Sequence, residues 1–189
     1  MTTIVVVRKG GSAVIAADSL TTFGTTRLVP AYDRSPEKIV AYRDSFIGVA
    51  GSAAHQLVLE NLLGKNPDLA LHGKESIYES FRRLHPLLKD EAFLNPKEED
   101  EDPYESSQMT VMIANPSGIF AVYSMREVFE FDRYWAIGSG RDFALGAMYV
   151  AYGRAKDVAK VARIGIEAGA EYDTGTSLPL SLHTVTLAG

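Results

Sequence analysis

The chain has no cysteine, which excludes a disulfide framework, a thiol nucleophile and the thiolate-rich sites that hold structural zinc. Histidine is scarce and scattered: His55, His72, His85 and His183 share no metal-ligand spacing, so neither a metal nor a cofactor is expected. Neither glycine-rich phosphate fingerprint, GxGxxG or GxxxxGK followed by Ser or Thr, occurs, which disfavours a nucleotide-binding fold. Long apolar runs are missing as well. The segment Thr3 to Arg8 (TIVVVR) meets charge too soon for a signal peptide or a membrane span, so no membrane partner and a cytoplasmic location are expected. There is no basic field. Net charge is −5 and nothing interleaves basic with aromatic residues, so nucleic acid is not an expected partner.

What is present fits a single domain over residues 1–189, 46% hydrophobic and 23% charged, long enough to bury a sizeable core. Its charge is unevenly spread. Lys89 to Glu105 holds eight acids and two lysines, a local −6 that leaves the remainder near +1. With Pro96 and Pro103 in it, this insertion, at about 89–106, is expected to be a solvated loop away from any catalytic centre.

The first fifty residues alternate as strands do: Thr3 to Arg8, a Gly10-Gly11 turn, Ser12 to Ala17, then, after a polar loop from Leu20 to Ser35, Lys38 to Arg43 and Phe46 to Ala50. These four strands are expected to pair as one antiparallel sheet. Ser52 can cap a helix beginning at Ala53, with Leu57, Val58, Asn61 and Leu62 at helical offsets. A second helix from about Lys74 to Leu88 carries Ile77, Phe81, Leu84 and Leu88 as one stripe, and Pro86 should bend or shorten it. Strands resume at Met109 to Ala114, Ile119 to Tyr123, Val128 to Phe131 and Trp135 to Ile137. Helices follow at Arg141 to Tyr152 and about Lys156 to Ala170, the latter with Ala159, Ala162, Gly165 and Gly169 on one ridge, and Leu180 to Leu187 is a last strand. Two helix pairs and two antiparallel sheets cover their apolar faces most simply as four layers, so the expected class is α+β, an αββα sandwich.

One residue stands out chemically. Removal of Met1 would leave Thr2 with a hydroxyl and a free α-amine together, and no Gly-x-Ser-x-Gly elbow competes with it as a nucleophile. An α-amine titrates near about pH 8, close enough to neutrality to act as a general base. A small second residue is also what ordinary Met trimming exposes, so Thr2 alone does not decide the matter.

Five segments occur in a fixed order: Thr2 to Arg8 (TTIVVVR), Ala16 to Ser19 (AADS), Glu37 to Ile39 (EKI), Ile47 to Ser52 (IGVAGS) and Ala136 to Gly140 (AIGSG). In this order the chain resembles the proteasome β-type threonine peptidases, over nearly its whole length, departing at the Leu20 to Ser35 loop and the acidic insertion. The resemblance implies an N-terminal nucleophile hydrolase fold. It also implies Thr2 as nucleophile, Asp18 as the carboxylate beside it and Lys38 as the lysine that eases loss of its proton. Gly48 matches the glycine whose N–H faces the oxyanion, and Ser139 the serine at the amine end. Asp173, with Thr176 three residues on, matches the second acid, although Tyr172 replaces the usual basic residue before it and Thr176 the usual Ser. For Asp18 and Lys38 an ordinary ion pair, and for Ser139 a helix N-cap, are the structural alternatives.

By the same resemblance Leu20, Thr21, Thr22 and the segment Val49 to Ser52, Gly51 included, flank the cleaved bond, Thr22 and Gly51 offering backbone groups to an extended peptide. The implied function is a self-compartmentalising endopeptidase acting on peptide or unfolded protein, built as two stacked homo-oligomeric rings, seven-membered rather than six-membered, with any ATPase unfoldase a separate partner. An amidase acting on a small amide and a non-catalytic ring subunit are the alternatives.

Overall fold

The computed structural model describes residues 2–97 and 99–188; Met1, whose removal the sequence leads one to expect, and Glu98 of the acidic insertion lie outside them. Strands β1 (Thr3–Lys9) and β2 (Ser12–Asp18) form a hairpin closed by Gly10 and Gly11, both at positive φ, the conformation a tight two-residue loop demands. A smaller hairpin follows, β3 (Thr21–Phe23) with β4 (Thr26–Leu28), then β5 (Ile39–Tyr42) and β6 (Ser45–Ala50). Helices α1 (Ala53–Lys65) and α2 (Lys74–Asp90) come next, followed by β7 (Thr110–Asn115), β8 (Gly118–Val122), β9 (Val128–Glu130) and β10 (Tyr134–Gly138). Helices α3 (Arg141–Tyr152) and α4 (Val158–Tyr172) and strand β11 (Leu180–Thr186) complete the order.

One sheet runs β10-β1-β2-β11 and the other β5-β6-β7-β8-β9. Every residue of β8 is buried, as are the first five of β1 and the last six of β2, because each sheet packs on both faces. Between the sheets, Ile4, Val6, Ile15 and Ala17 meet Met112, Ala114, Ile119 and Ala121. Outside them, Val5, Val7 and Val14 pack on Met148, Val161 and Ile166 of α3 and α4, while Ile47, Val111 and Phe120 pack on Leu59, Leu62, Phe81 and Leu84 of α1 and α2. The result is the expected αββα sandwich.

Several expectations need correction. The first four strands do not share a sheet: β1 and β2 belong to one and β5 and β6 to the other, because each hairpin finds longer partners later in the chain. The Leu20 to Ser35 loop is not featureless, since it holds the β3–β4 hairpin and a short 3-10 turn at Pro30–Tyr32. Helix α1 buries Leu59, Leu62 and Leu63 and leaves Leu57 and Asn61 exposed, a rotation of its apolar face decided by the sheet beneath it. Helix α2 keeps its stripe but runs through Pro86 to Asp90. The proline removes one helical N–H, and the burial of Leu84 and Leu88 on either side holds the helix together.

Candidate active site

Three residues from two sheets converge. Thr2 sits just ahead of β1, Asp18 ends the neighbouring β2, and Lys38 immediately precedes β5 at the edge of the opposite sheet. Sheet packing, not sequence proximity, brings the lysine in. The Thr2 hydroxyl donates to Asp18 Oδ1 at 2.8 Å, and Lys38 Nζ donates to Thr2 Oγ1 at 2.9 Å, Asp18 Oδ1 at 2.8 Å and the Leu20 carbonyl at 2.6 Å. All three ammonium protons are thus directed by acceptors, which fixes the head group against the hydroxyl.

Asp18 is wholly buried, where an unpaired carboxylate would be costly. It is instead saturated. Beyond Thr2 and Lys38, the N–H of Thr3 reaches Oδ1 at 2.9 Å, and those of Leu20 and Ser177 reach Oδ2 at 3.0 and 3.2 Å. Burial pushes the Lys38 pKa down from its ordinary range, and the charges of Asp18 and Asp173 offset this only in part. A lysine so placed is easier to deprotonate than one in water.

A second acid lies at the other end of Thr2. Asp173 Oδ2 accepts from Ser139 Oγ at 2.7 Å and from Thr176 Oγ1 at 2.6 Å, and the Ser139 N–H donates to the Thr2 carbonyl at 2.8 Å. Partial burial would raise the Asp173 pKa, but the hydrogen bonds from Thr176, Ser139 and the Gly175 N–H outweigh it and hold the carboxyl below its usual range. Ser139 is not the N-cap of α3. That position belongs to Gly140, which has no side chain to cap with, and the serine hydroxyl is spent on Asp173. The flanking glycines explain the Gly-Ser-Gly sequence: a Cβ on Gly138 would sit 2.0 Å from the Thr2 carbonyl oxygen, and one on Gly140 2.2 Å from Thr3 Oγ1.

Thr2 opens onto a cleft of about 310 Å³ lined by Leu20, Thr21, Thr22, Phe23, Lys38, Val49, Gly51, Ser52, Ala53 and Gln56. Strand register tells which backbone groups face it. The two-residue loops at Gly24-Thr25 and Arg43-Asp44 make Phe23↔Thr26 and Tyr42↔Ser45 hydrogen-bonded pairs. Alternation then turns the N–H and C=O of Thr22 away from β4, and those of Val49 toward the side of β5, past the point where β5 begins. Gly51, just beyond the end of β6 and at φ +155°, follows on the same border of the cleft.

Gly48 does not join them. Its register with Met112 commits its backbone to β7, and a Cβ there would meet Ile4 Cγ2 at 2.9 Å, so the residue faces the core between the sheets. The oxyanion role assigned to it by resemblance is corrected on that ground. Gly51 is the glycine on the cleft, and a Cβ on it would lie 2.7 Å from His55 Nδ1 and 3.2 Å from the Gln108 carbonyl. The capping box in which Ser52 and His55 start α1 holds this turn in place.

The residues reached only through the structure are Phe23, Ala53 and Gln56 on the cleft, and Thr3 and Ser177 behind it. Gly-Ser-Gly was the available signal for Gly138 and Gly140. Nothing local marks Ser177, whose contribution is a backbone N–H. Among the described residues no group of His, Asp and Glu could hold a metal, and no helix is long and apolar enough to cross a membrane.

No protein-family model matches the chain. It is similar to Thiobacillus denitrificans BPH, at 38% identity and a TM-score of 0.93 over 98% of each chain. The structure of that protein in complex with epoxomicin aligns at 37% identity and a TM-score of 0.92, covering 99% of this chain and all of the other. A curated relative, the ATP-dependent protease subunit HslV of Bartonella quintana, is 26% identical over 97% of this chain and 89% of its own length. Eukaryotic HslV from Trypanosoma brucei shares the fold, with a TM-score of 0.74 at 22% identity over 97% of this chain and 99% of its own.

Proposed function

Because the chain belongs to the proteasome β-type family of threonine peptidases, which attack the peptide bond with an N-terminal threonine, we propose that Thr2, freed by removal of Met1, is that nucleophile and that Asp18, Lys38, Ser139 and Asp173 set its protonation. The observation that carries this is the Lys38 ammonium 2.9 Å from the Thr2 hydroxyl, itself 2.8 Å from a buried carboxylate. Thr2 Oγ attacks the scissile carbonyl carbon as its proton passes to the basic group beside it. The carbonyl electron pair moves onto oxygen, where the N–H of Gly51, the glycine that lines the cleft with Thr2, is the donor. Collapse expels the amine with the transferred proton and leaves an ester on Thr2. Water then adds to the ester carbonyl, gives a proton to the α-amine, and releases the acid as Thr2 regains its hydrogen.

The substrate is an extended peptide lying between Thr22 and Gly51, for their outward backbone groups can pair with a strand on either side. A small amide would use neither edge. The peptidase works within a homo-oligomer of two stacked rings, for which the exposed Phe143, Tyr149, Val150 and Tyr172 on α3 and α4 offer apolar surface; seven-membered rather than six-membered rings rest on the likeness to small bacterial proteasome homologues. The chain lacks a nucleotide motif, so ATP-driven unfolding would come from a separate partner of the kind the Bartonella quintana relative's name implies.

The test is covalent capture. A peptide epoxyketone is expected to form a stoichiometric adduct at Thr2, bonded to both its hydroxyl and its amine, and Thr2→Ala is expected to lose both adduct and peptide hydrolysis. Wild-type turnover by purified Thr2→Ala, or an adduct on another residue, would refute the assignment.

A further inference from the structure

Alternation along β1 sends Thr2 toward Asp18 and Lys38, and its neighbour Thr3 to the opposite face, the one that Val5 and Val7 pack against α3 and α4. Thr3 is fully buried, and its Oγ1 lies 2.6 Å from Thr176 Oγ1. Donor and acceptor follow from valence. Thr176 spends its one proton on Asp173 Oδ2, which only accepts, so the bond between the two threonines runs from Thr3 to Thr176. Ser139 approaches the same carboxylate oxygen from the other side. Meanwhile the Thr3 backbone N–H donates to Asp18. A single residue therefore holds both acids, one directly and one through Thr176.

The hydroxyl has little freedom to turn elsewhere. It is wedged between two helices where glycine leaves little room: a Cβ on Gly140 would stand 2.2 Å from Thr3 Oγ1, and one on Gly169, at 3.0 Å, would push it by a few tenths of an ångström. The methyl of Thr176 in turn lies 3.5 Å from where that second Cβ would be. Helices α3 and α4 thus clamp the Thr3 side chain, and the clamp is aimed along a line of hydroxyls ending at Asp173. Hydrogen bonds in series polarise one another, so the far donor strengthens the near one.

We propose that Thr3 is a positioning residue for hydrolysis: its hydroxyl orients Thr176 so that Asp173 keeps Ser139 seated against Thr2, and its backbone ties that acid to Asp18. This rests on Thr2 being the nucleophile. Thr3 touches neither cleft nor substrate, so its removal acts on kcat and leaves KM alone.

The test compares Thr3→Val, which replaces the hydroxyl by a methyl at nearly equal volume, with Thr3→Ser, which keeps it. Both are assayed in the assembled protein on a fluorogenic peptide, with active sites counted by epoxyketone. Thr3→Val is expected to lower kcat about tenfold, the rate equivalent of one hydrogen bond, with KM changed less than about twofold. Thr3→Ser should restore kcat. Gly169→Ala perturbs the same hydroxyl from the helix side and should reproduce the kcat loss with KM unchanged even if Thr3→Val does not fold. A normal kcat in either folded variant would overturn the proposal, as would a Thr3→Ser enzyme as impaired as Thr3→Val. Hydrolysis surviving in Thr2→Ala would instead sink the nucleophile assignment, so the two failures are distinct.

Discussion

At the scale of single residues the site turns on a lysine that can lose its proton. Burial lowers the Lys38 pKa below its ordinary 10.5, so at any pH beneath that value a larger fraction is neutral than in an exposed lysine. The sign follows. Peptide hydrolysis should rise with pH from neutrality into the mildly alkaline range, the limb lying below 10.5. Lys38→Arg should cost at least about a hundredfold in kcat, because a guanidinium stays protonated and its fork does not match a single hydroxyl. A pH profile of kcat for both proteins checks this, and a Lys38→Arg enzyme near wild-type rate would show that the lysine acts only by its charge. Two glycines offer a sharper contrast. Gly48→Ala forces a methyl onto Ile4 and should destabilise the fold by about 1–3 kcal/mol while the folded fraction keeps its turnover. Gly51→Ala, at φ +155° and pushing on His55 and the Gln108 carbonyl at the cleft, should destabilise the fold as well and should in addition lower kcat of the folded fraction. Kinetics normalised to the folded fraction separate the two, and a kcat loss in Gly48→Ala alone would restore Gly48 to the oxyanion role.

At the scale of elements, the acidic insertion is better tied down than a solvated charge run. Glu105 bonds Lys89 and His85 of α2, and Arg126 donates to His85 Nδ1 at 3.1 Å and to the Glu105 carbonyl at 2.7 Å. Gln108 holds the other flank through the carbonyls of Asn95 and Lys97. This links the base of the insertion to the turn at Gly51, which the Gln108 carbonyl adjoins. The anchors and the tip should therefore behave differently. Replacing residues 99–102 with Gly and Ser is expected to leave short-peptide turnover unchanged, since an exposed loop tolerates such changes. Glu105→Gln should loosen the segment, read as faster proteolytic nicking there. Burial, helped by Arg126 and Lys89 and opposed by Glu105, lowers the His85 pKa from 6.5. Its neutral form accepts from Arg126, so this support is complete above 6.5 and is lost as pH falls through the lower folded value. Nicking within the segment should increase on acidification, and a pH-independent rate would count against the latch.

For the whole molecule, the exposed aromatic face of α3 and α4 is the surface on which the proposed ring assembly rests. Phe143 and Tyr172 lie with ring centroids 5.5 Å apart, and Tyr149 is 77% exposed, a large apolar surface to leave in water. Tyr149→Asp is expected to shift the protein toward smaller species by light scattering, because a charge buried in an oligomer interface lacks a partner. Unchanged mass would place the contact elsewhere. Helix packing leads inward from the same layer to Gly165, which lets Met148 approach, and Gly169, which lets Thr3 do so.

Sequence by itself determined the alternation of strands and helices, the buried stripe of α2, the four-layer class, and the presence of Thr2, Asp18, Lys38, Ser139 and Asp173 in order. These are local or pairwise properties. Periodicity follows from which face is buried, and the candidate nucleophile with its carboxylate and lysine comes from the family resemblance that five motifs in order carry. Tertiary structure alone decided which strands share a sheet, since hairpin propensity is blind to the longer-range partners β7, β10 and β11. It also decided which face of α1 is buried, because its apolar residues at 57, 58, 59, 62 and 63 allow more than one stripe. The choice between Gly48 and Gly51 needed strand register, for a backbone group points to the cleft or to a neighbour according to parity in the ladder. Thr3 needed the packing of two helices. A threonine in a run of β-branched residues looks like any other until the glycines of α3 and α4 close around its hydroxyl.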